Sequence, residues 1–343
     1  MWNIKWTGVR FSASPPNKEE NNVKKAIFLG IDVGGMSLKG AGILADGSIV
    51  YKESISTNNK TGNELFVSIL NELTHNLVNK LNDEYEINGL GIGIPGICNV
   101  EKLIVEYAPN LKLEKVDVKK VLSWFNKPIY ISNDANVACL GESMFGASKE
   151  YKSSILLTLG TGVGGGVIIN GKLFEGNEGK GTELGHMTIK TDGVVCGCGR
   201  KGCFEAYASA SALLRITKRV MNEYKDSLMW TVCDNDINKV NGLTSFECAK
   251  KGDKAANLVV DEYISNLGEG ILNYCNIFRP EAIILGGGVS NQGDYLINKL
   301  KKYCADRDYG FKNSPVVDLK CAVLKNDAGV IGAASLVMER VNG

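Results

Sequence analysis

Histidine is nearly missing from this chain: its 343 residues include only His75 and His186. Charge imbalance is missing as well. Thirty-nine Lys and Arg against 38 Asp and Glu leave a formal net charge of +1, so there is no electrostatic case for nucleic acid or a membrane surface as a partner. No apolar run approaches the length of a bilayer span. The first two dozen residues lack the unbroken apolar core of a signal peptide. They carry Trp2, Trp6 and Phe11 without a strict period, then Pro15-Pro16 and a polar run, and read as an extension outside the fold. Ten cysteines are too few for a disulfide scaffold of this length. Cys98, Cys139, Cys233, Cys248, Cys275, Cys304 and Cys321 are scattered, mostly in apolar surroundings, as small hydrophobes in a reducing cytosol would be. These absences point to a cytoplasmic globular protein. Hydrophobic residues at 44% and charged residues at 22% agree, and the length suggests two lobes.

The scarce histidine has telling neighbours. ELGHMTIKTDGVVCGCGRKGCFE brings His186 within eighteen residues of Cys196, Cys198 and Cys203, with glycines between the sulfurs. One nitrogen and three sulfurs suit a four-coordinate zinc whose positions are all filled by protein, leaving none for a reacting water. Unpaired thiols in a glycine-rich loop, or a redox dithiol, are the alternatives. CxC with a third thiol and a histidine reads better as metal. The expectation is a structural zinc.

Glycine is abundant, with 40 residues, and it clusters. Ala26 to Val50 reads as strand, glycine turn, strand and an Asp46-Gly47 hairpin; Ser154 to Phe174 repeats that order and ends on Asn170-Gly171. Asp-Gly and Asn-Gly both suit type I′ turns, whose central residues need positive φ. The repetition suggests a duplicated, two-lobed architecture. Between the halves, Thr61 and Glu64 form a possible capping box. Phe66, Leu70, Leu73, Leu77 and Leu81 then follow at helical spacing, with His75 off that stripe. Gly89 to Gly96 and Pro128 to Ser132 read as strands, the second delivering Asn133-Asp134 at its carboxyl end. Val260, Ile264, Leu267, Ile271, Tyr274 and Phe278 mark a helix that must stop before Pro280.

Gly34-Gly35, Gly160 to Gly166 and Gly286 to Gly288 each follow an apolar strand. Ligands of open α/β sheets gather at such strand ends, and glycine lets backbone amides approach phosphate oxygens. With Asp32 before the first cluster and Thr161 in the second, a nucleoside triphosphate is the expected ligand. Three plain tight turns are the alternative. No GxxxxGK[ST] occurs, and GVGGG is not followed by a helical segment, so neither a P-loop nor a dinucleotide fingerprint is present.

DVGGMSLKG, GIGIPG, APNL, SNDAN, LGTGVGGG, ELGH, CGCGRKGCFE and LGGGVS occur in order from Asp32 to Ser290. Together they resemble the ROK family of bacterial sugar kinases and sugar-responsive repressors. The resemblance implies an α/β, two-lobed, actin-like (ribonuclease H-like) ATPase fold with the active site in the cleft. The expected organisation is an extension over 1–24 and an N-terminal lobe over 25–133 joined by a C-terminal helix, 326–343. The C-terminal lobe would cover 134–325 and carry the zinc loop 186–203.

By the same resemblance, ATP and a hexose are the partners, and Asp134 is the general base that takes the proton from the sugar hydroxyl. Read without the family, Asp134 would be a helix N-cap. Gly96, Asn110, Asn133, Glu183, His186 and Glu205 would join Asp134 in binding the sugar. Asp32 would hold the Mg²⁺ that accompanies ATP. Gly34, Gly35, Thr161 and Gly162 would contact phosphates, and Gly286, Gly287 and Gly288 the nucleoside. The family's first phosphate motif reads DxGGT, whereas this chain has Met36; the amides of Gly34 and Gly35 are expected to suffice. The implied activity is phosphorylation of a hexose 6-hydroxyl, with glucose the leading acceptor and N-acetylmannosamine or another hexose the alternative. The implied assembly is a homodimer. A sugar-sensing regulator is the reading from another class, but the stretch before Asp32 is too short for the winged helix-turn-helix that repressors of this family carry.

Overall fold

In the computed structural model, which describes residues 24–310 and 313–342, the chain forms two five-stranded sheets of identical order. The expected extension at the amino terminus lies outside the described residues, apart from Lys24. The first sheet contains β1 (Lys25–Val33), β2 (Ser37–Ile43), β3 (Ile49–Ser56), β4 (Tyr85–Ile94) and β8 (Ile129–Asn133). Its order is β3-β2-β1-β4-β8: an antiparallel meander followed by two parallel neighbours. A small sheet of β5 (Ile97–Asn99), β6 (Ile104–Ala108) and β7 (Leu113–Asp117) lies between β4 and β8 in the chain. The second five-stranded sheet uses β9 (Ser154–Leu159), β10 (Val163–Ile169), β11 (Lys172–Phe174), β12 (Ala282–Gly286) and β13 (Asp318–Cys321), in the order β11-β10-β9-β12-β13. Again a meander precedes two parallel strands. The duplication seen in the glycine-and-hairpin pattern is therefore real at the level of topology.

Helices α1 (Asn63–Leu81), α2 (Val118–Val121) and α3 (Asp134–Phe145) come from the first part of the chain. The second part contributes α4 (Glu205–Ala208), α5 (Ala210–Glu223), α6 (Leu228–Val232), α7 (Thr244–Lys250), α8 (Lys254–Phe278), α9 (Asp294–Ala305) and α10 (Ala328–Asn342). The leucine stripe of α1 is buried as expected, and it lies on β2, where Gly40 leaves room for Leu73 and Leu77. Helix α10 covers the opposite face of that sheet, beside β1 and β4, and also packs along α3. In turn α3 packs on β10, with Cys139 and Ala135 against Gly166. The two helices thus connect one sheet to the other. The contact of α10 with β4 is close enough that a methyl group at Gly91 would overlap the carbonyl of Ala333. Gly91→Ala is therefore expected to cost about 1–3 kcal/mol by overpacking, read from urea unfolding.

Two local expectations are corrected. Thr61 and Glu64 form no capping box: Gly62 is the N-cap and no side chain caps the helix. The amide of Gly62 donates to Leu111 O at 2.9 Å, which holds this residue at φ 123°, a conformation that suits glycine. The Asp46-Gly47 hairpin is not type I′ either, because only Gly47 has positive φ. Leu44 N–H bonds to Ser48 O and closes a longer turn, with Asp46 Oδ1 accepting from Ser48 N. Asn170 and Gly171, at φ 53° and 77°, do have the expected pair of left-handed residues. His75 is exposed and stacks on Trp124 at 3.6 Å. No described helix is long and apolar enough to cross a membrane.

Candidate active site

Strand β8 ends where α3 begins, and the polar residues at that junction divide the work. Asn133 is the N-cap, its Oδ1 accepting from Ala135 N at 2.9 Å while its Nδ2 donates to Gly96 O at 3.1 Å. Asp134 is the first residue of α3, not its cap, and its carboxylate accepts one bond from Ala135 N. Burial pushes the Asp134 carboxyl up to about 6, and the negative charges of Asp32 and Glu183 add to the rise. A helix N-terminus stabilises a carboxylate, so burial has to outweigh that effect here.

Asp134 opens onto a cleft of about 760 Å³ that Asp32, Lys39, Thr158 and Gly286 to Gly288 also line. Asp32 ends up here because β1 and β4 run parallel and bring their carboxyl ends to the same edge of the sheet as that of β8. Burial raises its carboxyl, while Lys39 and Lys52 pull it down. Lys52 is itself paired with Asp327. On the opposite wall, Gly287 has φ 79°, and a Cβ there would stand about 2.5–2.7 Å from the backbone of Leu159. That close approach admits glycine alone.

The other residues expected to contact phosphate, Gly34, Gly35, Thr161 and Gly162, are not among those lining the cleft. The Gly34 amide donates to Ser37 O at 3.0 Å. Thr57 braces this turn, its hydroxyl donating to Gly35 O and its amide to Met36 O, each at 2.9 Å. The Met36 side chain is 75% exposed. Thr161 and Gly162 form the β9–β10 turn, which is held to α5 by Ala210 N donating to Gly160 O and by Ser211 Oγ donating to Thr161 O.

Of the residues assigned to the sugar, Glu183 lies within electrostatic reach of Asp134. The Leu184–His186 turn is anchored from below by Tyr274, a stripe residue of α8, which donates to Leu184 O at 2.5 Å. Burial raises the Glu183 carboxyl; His186 opposes that shift and Glu205 adds to it. Glu205 Oε2 accepts from Val163 N at 3.0 Å, and its Oε1 lies 3.3 Å from Cys196 Sγ. Gly96 packs against Ala108, two residues before Asn110, which is exposed in a short turn.

The ligand atoms of His186, Cys196, Cys198 and Cys203 all lie within 4.8 Å of one another. Cys198 and Cys203 sulfurs are 3.7 Å apart, and His186 Nδ1 is 3.7 Å from Cys196 Sγ. Tetrahedral Zn–S bonds of about 2.3 Å place two sulfurs about 3.8 Å apart. Donor set and spacing both fit zinc, and it is Nδ1 that faces the sulfurs. Tight backbone bonds bring the cysteines together, including Cys196 N to Arg200 O at 2.8 Å and Gly199 N to Cys196 O at 3.0 Å.

Several lining residues escaped the sequence reading. Ser290, Asn291, Cys321, Lys325 and Asn326 complete the cleft around the glycines of β12. The polar KNDAG run just before an Ala- and Gly-rich helix was the available signal for Lys325 and Asn326. Nothing in spacing marks Cys321, which arrives through the parallel pairing of β12 with β13. Glu142 also lines the cleft; it is fully buried, with Oε1 accepting from the amides of Val323 and Leu324 and Oε2 from that of Ala147.

Two duplicated mixed sheets, bridged by helices and enclosing a carboxylate-lined cleft, define an actin-like two-lobed ATPase architecture. A sequence profile of the ROK family matches residues 28–340. A glucokinase of Halalkalibacterium halodurans is 36% identical over 92% of this chain and 96% of its own length. One from Thermotoga maritima is 33% identical over 93% and 99%. Among solved structures, a ROK family glucokinase from Streptomyces griseus in complex with glucose and AMPPNP gives a TM-score of 0.76 at 30% identity, covering 91% of this chain and 99% of that one. Repressors are related too: the xylose repressor of Bacillus subtilis is 31% identical over 93% of this chain and 78% of the repressor. The chain belongs to the ROK family.

Proposed function

We propose that this protein is an ATP-dependent hexose kinase that phosphorylates the 6-hydroxyl of glucose. In this reading Asp134 takes the hydroxyl proton, the freed oxygen attacks the γ-phosphorus, and ADP leaves. The observation that carries it is the position of Asp134: a half-buried carboxyl at the head of α3, raised to about 6, that lines a glycine-walled cleft and lies within electrostatic reach of Glu183. Phosphoryl transfer asks for positioning, charge neutralisation and a base beside the nucleophile. Near-complete alignment with glucokinases, one of them solved with glucose and AMPPNP, supports hexose and ATP as the substrates.

The other assignments follow from this reading. Among the described residues the Asp32 carboxyl has no hydrogen-bond partner, and it faces the cleft, which suits the water shell of the Mg²⁺ that neutralises phosphate charge. Zinc would be held by His186 Nδ1, Cys196, Cys198 and Cys203 and would supply order, not reaction chemistry. A zinc-bound thiolate has no proton to donate, so Glu205 Oε1 is left for a sugar hydroxyl, as is His186 Nε2. The lobe boundaries stated above and a homodimer belong to the same proposal; light scattering after gel filtration tests the dimer.

A coupled ADP-release assay over hexoses and N-acetylhexosamines tests the reading, with glucose expected to give the highest kcat/KM. Failure of every sugar to turn over with ATP and Mg²⁺ would reject it. The repressor relatives motivate a second reading, sugar binding without catalysis. Hexose affinity in the absence of any turnover would favour it.

A further inference from the structure

Thr182 stands immediately before Glu183 and has φ 58°. A β-branched residue in the left-handed region is strained, and its neighbours must hold it there. Its hydroxyl lies 2.8 Å from Gly181 O and 2.9 Å from Asn136 Oδ1. A hydroxyl has one proton and can donate to only one of these acceptors. Asn136 is 1% exposed, and its Nδ2 has no partner among the described residues. A half-turn of the amide ends the competition for the Thr182 proton and gives Nδ2 a partner, with Oδ1 taking the position that Nδ2 had. Nδ2–H then donates to Thr182 Oγ1, whose own proton goes to Gly181 O. The two ends of a carboxamide have nearly the same shape, so the surrounding donors and acceptors decide its orientation.

The other end of this chain is rigid. Asn136 lies two residues after Asp134 in the first turn of α3, with its backbone against Gly166 of β10 and its helix packed along α10. The Glu183 charge is felt at Asp134, so the turn and the helix head lie within electrostatic reach of each other. The far end of the same loop is tied separately: Asn99 Nδ2 donates to Glu178 Oε2 at 3.2 Å and Val100 N to Glu178 O at 3.1 Å.

We infer that Asn136 is a positioning residue: through Thr182 it holds the strained turn that aims Glu183 at the sugar, and thereby sets the sugar grip relative to Asp134. This rests on the sugar-site reading proposed above. A bond that merely stabilised the fold would affect all ligands alike. A positioning bond affects the sugar alone.

Calorimetric titration with glucose, run beside steady-state kinetics, separates the two. Asn136→Ala and Thr182→Val are each expected to weaken glucose binding by about tenfold or more, the change that follows from about 1.4 kcal/mol. ATP KM should stay within about threefold, and zinc content should not change. Thr182→Ser keeps the hydroxyl and should stay within about threefold of wild type in glucose affinity. The Asn136→Ala/Thr182→Val double variant should be no weaker than the worse single variant, because both remove the same bond. If Asn136→Ala does not fold, the Thr182→Val and Thr182→Ser pair decides alone. Glucose affinity within about twofold of wild type in Thr182→Val, or fully additive losses in the double variant, would overturn the inference. Wild-type protein that binds glucose without turning it over would end the kinase reading and leave this inference to be decided by the affinities. Wild-type protein that binds no hexose would end both.

Discussion

Asp134→Asn is expected to bind glucose about as tightly as wild type and to lose roughly 10²–10⁴-fold in kcat, the usual contribution of a positioned general base. Asparagine keeps the shape and the acceptor that faces Ala135 N, so α3 should be undisturbed; Asn133, not residue 134, is the cap. The wild-type pH profile carries the same information independently. With its carboxyl raised to about 6, Asp134 is ionised above that pH and able to accept a proton. As pH falls through about 6 it becomes protonated, and kcat/KM should drop about tenfold per pH unit. The Asn variant should lack this acidic limb. Near-normal turnover by Asp134→Asn would remove the residue from its role.

Cys198→Ser should bring the second large loss, at the zinc site. Cys198 is exposed, so exchanging its thiol for a hydroxyl in a metal-free loop would be nearly neutral. If the cluster holds zinc, the same exchange removes one of four ligands. Elemental analysis should then fall from about one zinc per chain to a small fraction, because a closed structural site tolerates no missing ligand. Thermal stability should drop, and a chelator should reproduce the drop in wild type, since metal binding is linked to folding. Glucose affinity should weaken by roughly 10–100-fold, the scale of losing an ordering shell around a binding group. Glu183 lies three residues before His186 and Glu205 two after Cys203, so in the proposed reading order in this loop would carry to the sugar. Cys198→Ser protein with unchanged melting and glucose affinity would contradict a structural metal.

Much of the architecture was readable in the chain because local rules suffice for it. The leucine stripe of α1, the stop of α8 at Phe278 before Arg279-Pro280, and the repeated meander each depend on residues close in sequence. The errors were local as well, and tertiary contacts caused them. Leu111 O, brought to Gly62 from almost fifty residues away, captured the start of α1 and left Thr61 outside the cap. At the Asp46-Gly47 hairpin a longer turn, closed on Ser48, displaced the expected type I′ pair.

The site divides along the same line. By itself the sequence determined the ligand chemistry: which carboxylates, thiols, imidazole and glycines are available, and that their order is that of the ROK family. A residue's chemical type and its near neighbours are properties of the chain. Only the tertiary structure decided that Asn133 and not Asp134 caps α3, that Gly34's amide donates to Ser37 O, that Nδ1 of His186 faces the sulfurs, and that Asn136 reaches Thr182. Each of these is a question of which partner claims a single donor or acceptor. A hydrogen-bonding group serves few partners at once, so the answer depends on every group the fold brings within reach.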